Sequence, residues 1–185
     1  SHIVVMGIGE PFDNFNNLVN FIENANNPKG LNIGSRHITV STCGIVPKIY
    51  EFSHLKYQVN LAISLHAPNN ELRDKLMPIN KVYPLEELIK AVKYYIEKTN
   101  RRVTFEYILL SEINDGEKEA RELVKLIKGL NAYINLIPYN QGNSNNFKRT
   151  KNENIMKFYD IIKKEKINVT VRREFGSNIS AACGQ

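Results

Sequence analysis

Ile3-Val4-Val5-Met6-Gly7-Ile8-Gly9-Glu10-Pro11 begins with an apolar run that stops at two glycines, a carboxylate and a proline. An apolar run without alternation marks a strand buried on both faces, as in a parallel sheet. Five more such runs follow, at 37–42, 59–66, 103–110, 133–139 and 169–173, rich in Val, Ile, Thr and Tyr. Between them the apolar residues recur at helical spacing. Leu18, Val19, Phe21 and Ile22 mark 15–26, and Leu85, Leu88, Ile89, Val92 and Ile96 mark 84–98, with Pro84 suited to a first turn. Ala120, Leu123, Val124 and Ile127 mark 115–128, while Ile155, Phe158, Ile161 and Ile162 mark 151–166. Shorter helices fit 47–55 and 70–76. This alternation predicts an α/β protein with right-handed crossovers. A doubly wound sheet and a (β/α) barrel, complete or partial, both satisfy it.

The 185 residues predict a single domain, 1–185, with no linker or internal repeat. Hydrophobic residues make up 42% and charged residues 24%, the balance of an ordinary globular chain. The formal net charge of +6 suits RNA or another polyanion without demanding one. Two cysteines far apart make no disulfide framework, which fits a reducing, cytoplasmic setting. No apolar run approaches the length of a membrane span. The Asn- and Ser-rich stretch 141–150 reads as a long flexible loop. Because Ser1 leads straight into an apolar strand, the chain is read as a piece of a longer protein.

Polar and small residues gather where the runs end: Gly7, Gly9 and Glu10; Ser41, Thr42, Cys43 and Gly44; Ser64 and His66; Tyr139 and Asn140. In a parallel α/β fold the carboxyl ends of the strands are where ligands bind. Each residue also has an ordinary reading. Gly7-x-Gly9 can be a plain strand-to-helix turn, and it is no dinucleotide fingerprint, since Phe12 stands where the third glycine belongs. Glu10 suits an ammonium group or open solvent, and Cys43 reads as a packed small residue. Ser64 and His66, two apart on a strand, share a face. A lone histidine there is more often a satisfied rim residue than a catalyst, and without companions at metal spacing it predicts no zinc site. Glu106, inside a strand, must pair with a basic residue or point into a site. Cys183 lies in Ala181-Ala182-Cys183-Gly184-Gln185, where small neighbours leave its thiol uncrowded.

Six motifs in order carry a resemblance: Gly7-Ile8-Gly9-Glu10-Pro11, Ser41-Thr42-Cys43-Gly44-Ile45-Val46-Pro47, Ala62-Ile63-Ser64-Leu65-His66-Ala67, Pro78-Ile79-Asn80, Asn135-Leu136-Ile137-Pro138-Tyr139-Asn140 and Ala181-Ala182-Cys183-Gly184-Gln185. Across the whole chain the sequence resembles the radical S-adenosylmethionine RNA methyltransferases of the RlmN type, which methylate adenine at C2. The sister Cfr type, acting at C8, shares much of the pattern. Ser64-Leu65-His66-Ala67-Pro68-Asn69 leans towards RlmN.

The resemblance implies an open parallel sheet with outer helices, a partial (β/α)6 barrel. It implies that Gly9, Glu10, Ser41, Ser64, Leu65, His66 and Asn140 bind S-adenosylmethionine, and that Cys183 accepts a methyl group and passes it on. It also implies a [4Fe-4S] cluster in the full-length protein, an electron donor, a monomeric state, 23S ribosomal RNA as substrate and transfer RNA as a further candidate. The family's cluster-binding Cys-x3-Cys-x2-Cys motif is not in this chain, nor are its first barrel strand, small N-terminal domain and second cysteine; all are expected upstream of Ser1. The chain alone is therefore expected to be inactive and to hold no metal. Two other readings fit the residues alone: an unrelated (β/α) metabolic enzyme, and a non-catalytic RNA-binding module using Lys148, Arg149, Arg172 and Arg173 on phosphates.

Overall fold

The computed structural model describes residues 2–6, 8–140 and 147–172. Its elements alternate as the runs require. Strands are β1 (Ile3–Val5), β2 (Ile38–Thr42), β3 (Asn60–Ser64), β4 (Val103–Leu109), β5 (Ala132–Pro138) and β6 (Asn168–Val171). Helices are α1 (Phe15–Asn26), α2 (Val46–Ser53), α3 (Asn70–Leu76), α4 (Leu85–Thr99), α5 (Glu117–Ile127) and α6 (Asn152–Lys164). The strands follow chain order, β1-β2-β3-β4-β5-β6, and β1–β2, β2–β3 and β5–β6 pair in parallel. A doubly wound sheet reverses its strand order at a switch point. This order never reverses, which is the topology of an open stretch of (β/α) barrel.

The chain divides into two compact units. The first holds Ser1–Ser64 and Ile79–Val103. In it β2 and β3 supply Ile38, Val40, Leu61 and Ile63, all wholly buried. α1 turns Leu18, Ile22 and Ala25 inward and leaves Phe21, read as part of its apolar stripe, 40% exposed. α2 and α4 close the unit with Phe52 stacked on Tyr95 at 6.1 Å, and the Tyr95 hydroxyl donates to Val59 O at 2.7 Å.

The second unit holds Leu65–Pro78 and Thr104–Gln185. Phe105, Tyr107 and Leu109 alternate on one face of β4, and Tyr107 meets Phe158 of α6 at 5.3 Å. Asn69 caps α3 by accepting from Leu72 N at 3.0 Å. The loop expected over 141–150 is corrected in its described part. Arg149 forms an antiparallel bridge with Leu110, and Ser111 N donates to Lys148 O at 2.9 Å. Thr150, 1% exposed, donates to Asp115 Oδ2 at 2.8 Å. Main-chain pairing needs no apolar period, so nothing in the pattern marks it.

Candidate functional site

At the carboxyl ends of β1 and β2 the first unit builds a clasp around Glu10. Glu10 Oε1 accepts from Phe12 N at 3.0 Å and from the Thr42 hydroxyl at 2.7 Å, and Oε2 accepts from Cys43 N at 2.7 Å. Pro11 starts a 3-10 turn after it, with Glu10 as the capping residue. A carboxylate has about four acceptor positions, so three filled leave one, on a side chain that is still half-exposed. The arrangement holds a negative charge rigidly and keeps one direction for a charged N–H donor. Gly9, at φ +107°, sits where other residues are strained. Ser41, 8% exposed, pairs with Ala62 in the β2–β3 register, and Ser64 closes β3 half-buried.

The second unit carries Leu65, His66 and Asn140. Leu65 has its side chain wholly in the core, its N–H donates to Glu106 O at 3.0 Å, and its carbonyl accepts from Arg73 Nε at 3.2 Å. Both of its main-chain groups are therefore committed within the protein. His66 departs from the expected strand geometry. β3 ends at Ser64 and His66 has φ +59°, so two-residue alternation does not put Ser64 and His66 on one face. His66 Nδ1 accepts from Ile108 N at 3.1 Å. Burial, and after it the Arg73 guanidinium, lower its pKa to about 4. His66 is thus a neutral ring whose proton sits on Nε2. Asn140 follows Tyr139, which is 3% exposed and whose hydroxyl has no hydrogen-bond partner among the described residues. Cys183 and Gly7 lie outside the described residues.

Glu106 settles between its two expected states. Asn135 Nδ2 donates to its Oε2 at 2.8 Å, and burial raises its pKa against the weaker pulls of Asn135 and Arg172. The partner is an amide, with the basic residue acting only at a distance. Sequence reasoning placed Thr42 and Tyr139 in the strand-end cluster without assigning either a partner, and did not single out Asn114 or Arg73. Thr42 supplies a hydroxyl to Glu10. Arg73, on the short helix α3, is 0% exposed.

Among the described residues no group of three His, Cys, Asp or Glu could hold a metal ion, and Cys43 is the one cysteine there. An iron–sulfur cluster needs several thiolates, so the described residues do not fit one. They do fit a cationic, donor-rich ligand such as S-adenosylmethionine, through the open position on Glu10.

A parallel strand series in chain order, with polar residues at the carboxyl ends, is the arrangement in which α/β enzymes hold their ligands. The chain belongs to the radical SAM superfamily, whose family model matches residues 1–124. S-adenosylmethionine and a [4Fe-4S] cluster are that family's cofactors. The chain is 64% identical over 185 residues to a probable dual-specificity RNA methyltransferase RlmN of Spiroplasma citri, covering all of this chain and 53% of the relative. It is 61% identical to the namesake from Thermoanaerobacter sp. strain X514, covering 54% of it. A crystal structure of a radical SAM methyltransferase from Sphaerobacter thermophilus superposes with a TM-score of 0.97 at 46% identity, over 100% of this chain and 54% of that one. The chain thus spans about half the length of the curated relatives it matches. At 15% identity a domain of a pyruvate-formate lyase-activating enzyme from Bacteroides vulgatus shares the fold, with a TM-score of 0.71 over 94% of this chain.

Proposed function

We propose that this chain is the S-adenosylmethionine-holding part of an RNA methyltransferase. The whole protein would methylate C2 of an adenine in 23S ribosomal RNA, and of transfer RNA, in the cytoplasm as a monomer fed by an electron donor. The observation that carries the reading is the Glu10 clasp, a rigid carboxylate with one open acceptor position at a strand-end rim. Similarity along the whole of this chain to proteins named RlmN supports the choice of RNA over other methyl acceptors.

Glu10 would hold the ligand's ammonium group, with Gly9 allowing close main-chain approach. The Ser41 and Ser64 hydroxyls, the His66 Nε2–H and the Asn140 amide would supply further hydrogen bonds. Leu65 would act through the main chain, spacing Ser64 from His66, since its own polar groups are taken. When bound, S-adenosylmethionine supplies an electrophilic methyl group. Adenine C2 is a poor nucleophile, whereas a thiolate is a good one, so Cys183 would accept the methyl at sulfur first. Its sequence neighbours, Ala182 and Gly184, are small.

The test is the Cys183→Ala variant of the full-length enzyme. RNA methylation is expected to be lost, and mass spectrometry of the parent's tail peptide is expected to find one added methyl on Cys183. Normal RNA methylation by Cys183→Ala would end this reading.

A further inference from the structure

Asn114, in the turn after β4, is wholly buried, and its side chain is tied at three points. Nδ2 donates to His66 O at 2.8 Å and to Ile108 O at 2.7 Å, and Oδ1 accepts from Leu110 N at 2.7 Å. Its main-chain carbonyl accepts from the Tyr107 hydroxyl at 2.8 Å, and its N–H donates to Leu110 O at 3.3 Å. Tyr107 is itself wholly buried against Phe158, so the anchor of the clasp is the hydrophobic core.

The bond to His66 O has a consequence beyond closing the turn. His66 holds a left-handed conformation, φ +59°, uncommon for a non-glycine residue and kept only where surroundings enforce it. Asn114 grips its carbonyl, and Ile108 N grips its ring at Nδ1. Asn114 Nδ2 also bonds the carbonyl of that same Ile108. One side chain thus fixes both the residue carrying the imidazole and the residue that dictates its tautomer. A ring nitrogen that accepts from an N–H cannot carry a proton, which leaves Nε2 as the donor.

We propose that Asn114 is a positioning residue that acts through His66, holding the imidazole so that Nε2–H is presented to an acceptor atom of bound S-adenosylmethionine. The proposal rests on the reading that His66 contacts that ligand. It is the logic by which a partner of a binding histidine sets its tautomer and orientation.

Equilibrium dialysis of S-adenosylmethionine against the full-length protein tests it, using His66→Gln, Asn114→Ala and the double variant. Each single change is expected to weaken binding about tenfold. Asn114→Ala is expected to cost nothing further in the His66→Gln background, while its loss of thermal stability persists there. Additive losses of affinity would mean Asn114 is merely structural, and would overturn the proposal. An unchanged affinity in His66→Gln alone would instead remove the reading on which it rests. If Asn114→Ala does not fold, nitrogen NMR of the parent's imidazoles decides. The neutral Nε2–H tautomer is expected for His66, and a proton on Nδ1 would overturn the proposal.

Discussion

Folding takes much of the His66 imidazole out of water beside the Arg73 guanidinium, and both effects disfavour its charged form. The unfolded chain takes up that proton near pH 6.5, the folded chain only near 4. Between those values the unfolded state binds more protons, so stability falls as the pH falls. A shift from 6.5 to about 4 corresponds to about 3 kcal/mol once the full window is crossed. Urea unfolding from pH 7 to 4 is expected to lose that increment, and His66→Gln is expected to flatten it. Glu106 behaves oppositely. Burial raises its pKa, so keeping it charged costs stability as the pH rises through the folded value, and at lower pH the cost is absent. The substitution Glu106→Gln keeps an amide oxygen for Asn135 and removes the charge. It is therefore expected to leave the protein at least as stable as the parent at pH 7, with the advantage shrinking in acid. A marked loss at pH 7 in the same unfolding assay would show that the Arg172 attraction outweighs desolvation.

Among the elements, α3 shows what a cap contributes. Asn69 Oδ1 accepts from Leu72 N, while its Nδ2 donates to Glu122 of α5 at 2.6 Å, so one side chain starts the helix and ties it to a neighbour. Asn69→Ala is expected to cost about 1 kcal/mol from the cap alone, read as a lowered urea midpoint with an unchanged slope. Helices such as α1 were legible in the sequence because they bury one stripe, whereas α3 matches the span read for it although Arg73 is its one buried residue. The strands were legible because runs such as Val103–Leu109 have few polar interruptions. The site was legible only as a rim. Which atoms meet is settled by tertiary contacts between residues far apart in sequence, as when Thr42 reaches Glu10 or Ile108 reaches His66, and such pairings leave no local periodicity. The left-handed turn at His66 was equally hidden, because histidine carries none of the signal that glycine gives.

For the molecule as a whole, the strand order leaves β1 at one end of the sheet. Its registered partner is β2, residues Ile3 to Val5 against Ile38 to Val40, and Val4 is 53% exposed. Among the described residues nothing pairs with the other edge of β1, and an open edge strand is a template for another chain. Its short length limits the number of bonds, and its lack of any charged residue leaves no local charge to oppose pairing. The 185-residue chain expressed by itself is therefore expected to self-associate through β1, despite a net charge of +6 that keeps copies apart at low salt. Raising the ionic strength screens that repulsion and is expected to increase association. Sedimentation velocity over a range of concentration and salt measures both. Val4→Lys places a charge on the open edge and is expected to return the chain to a monomer without lowering its thermal midpoint by more than a few degrees. If the parent sediments as a monomer at high concentration and high salt, the β1 edge is not the liability its exposure implies.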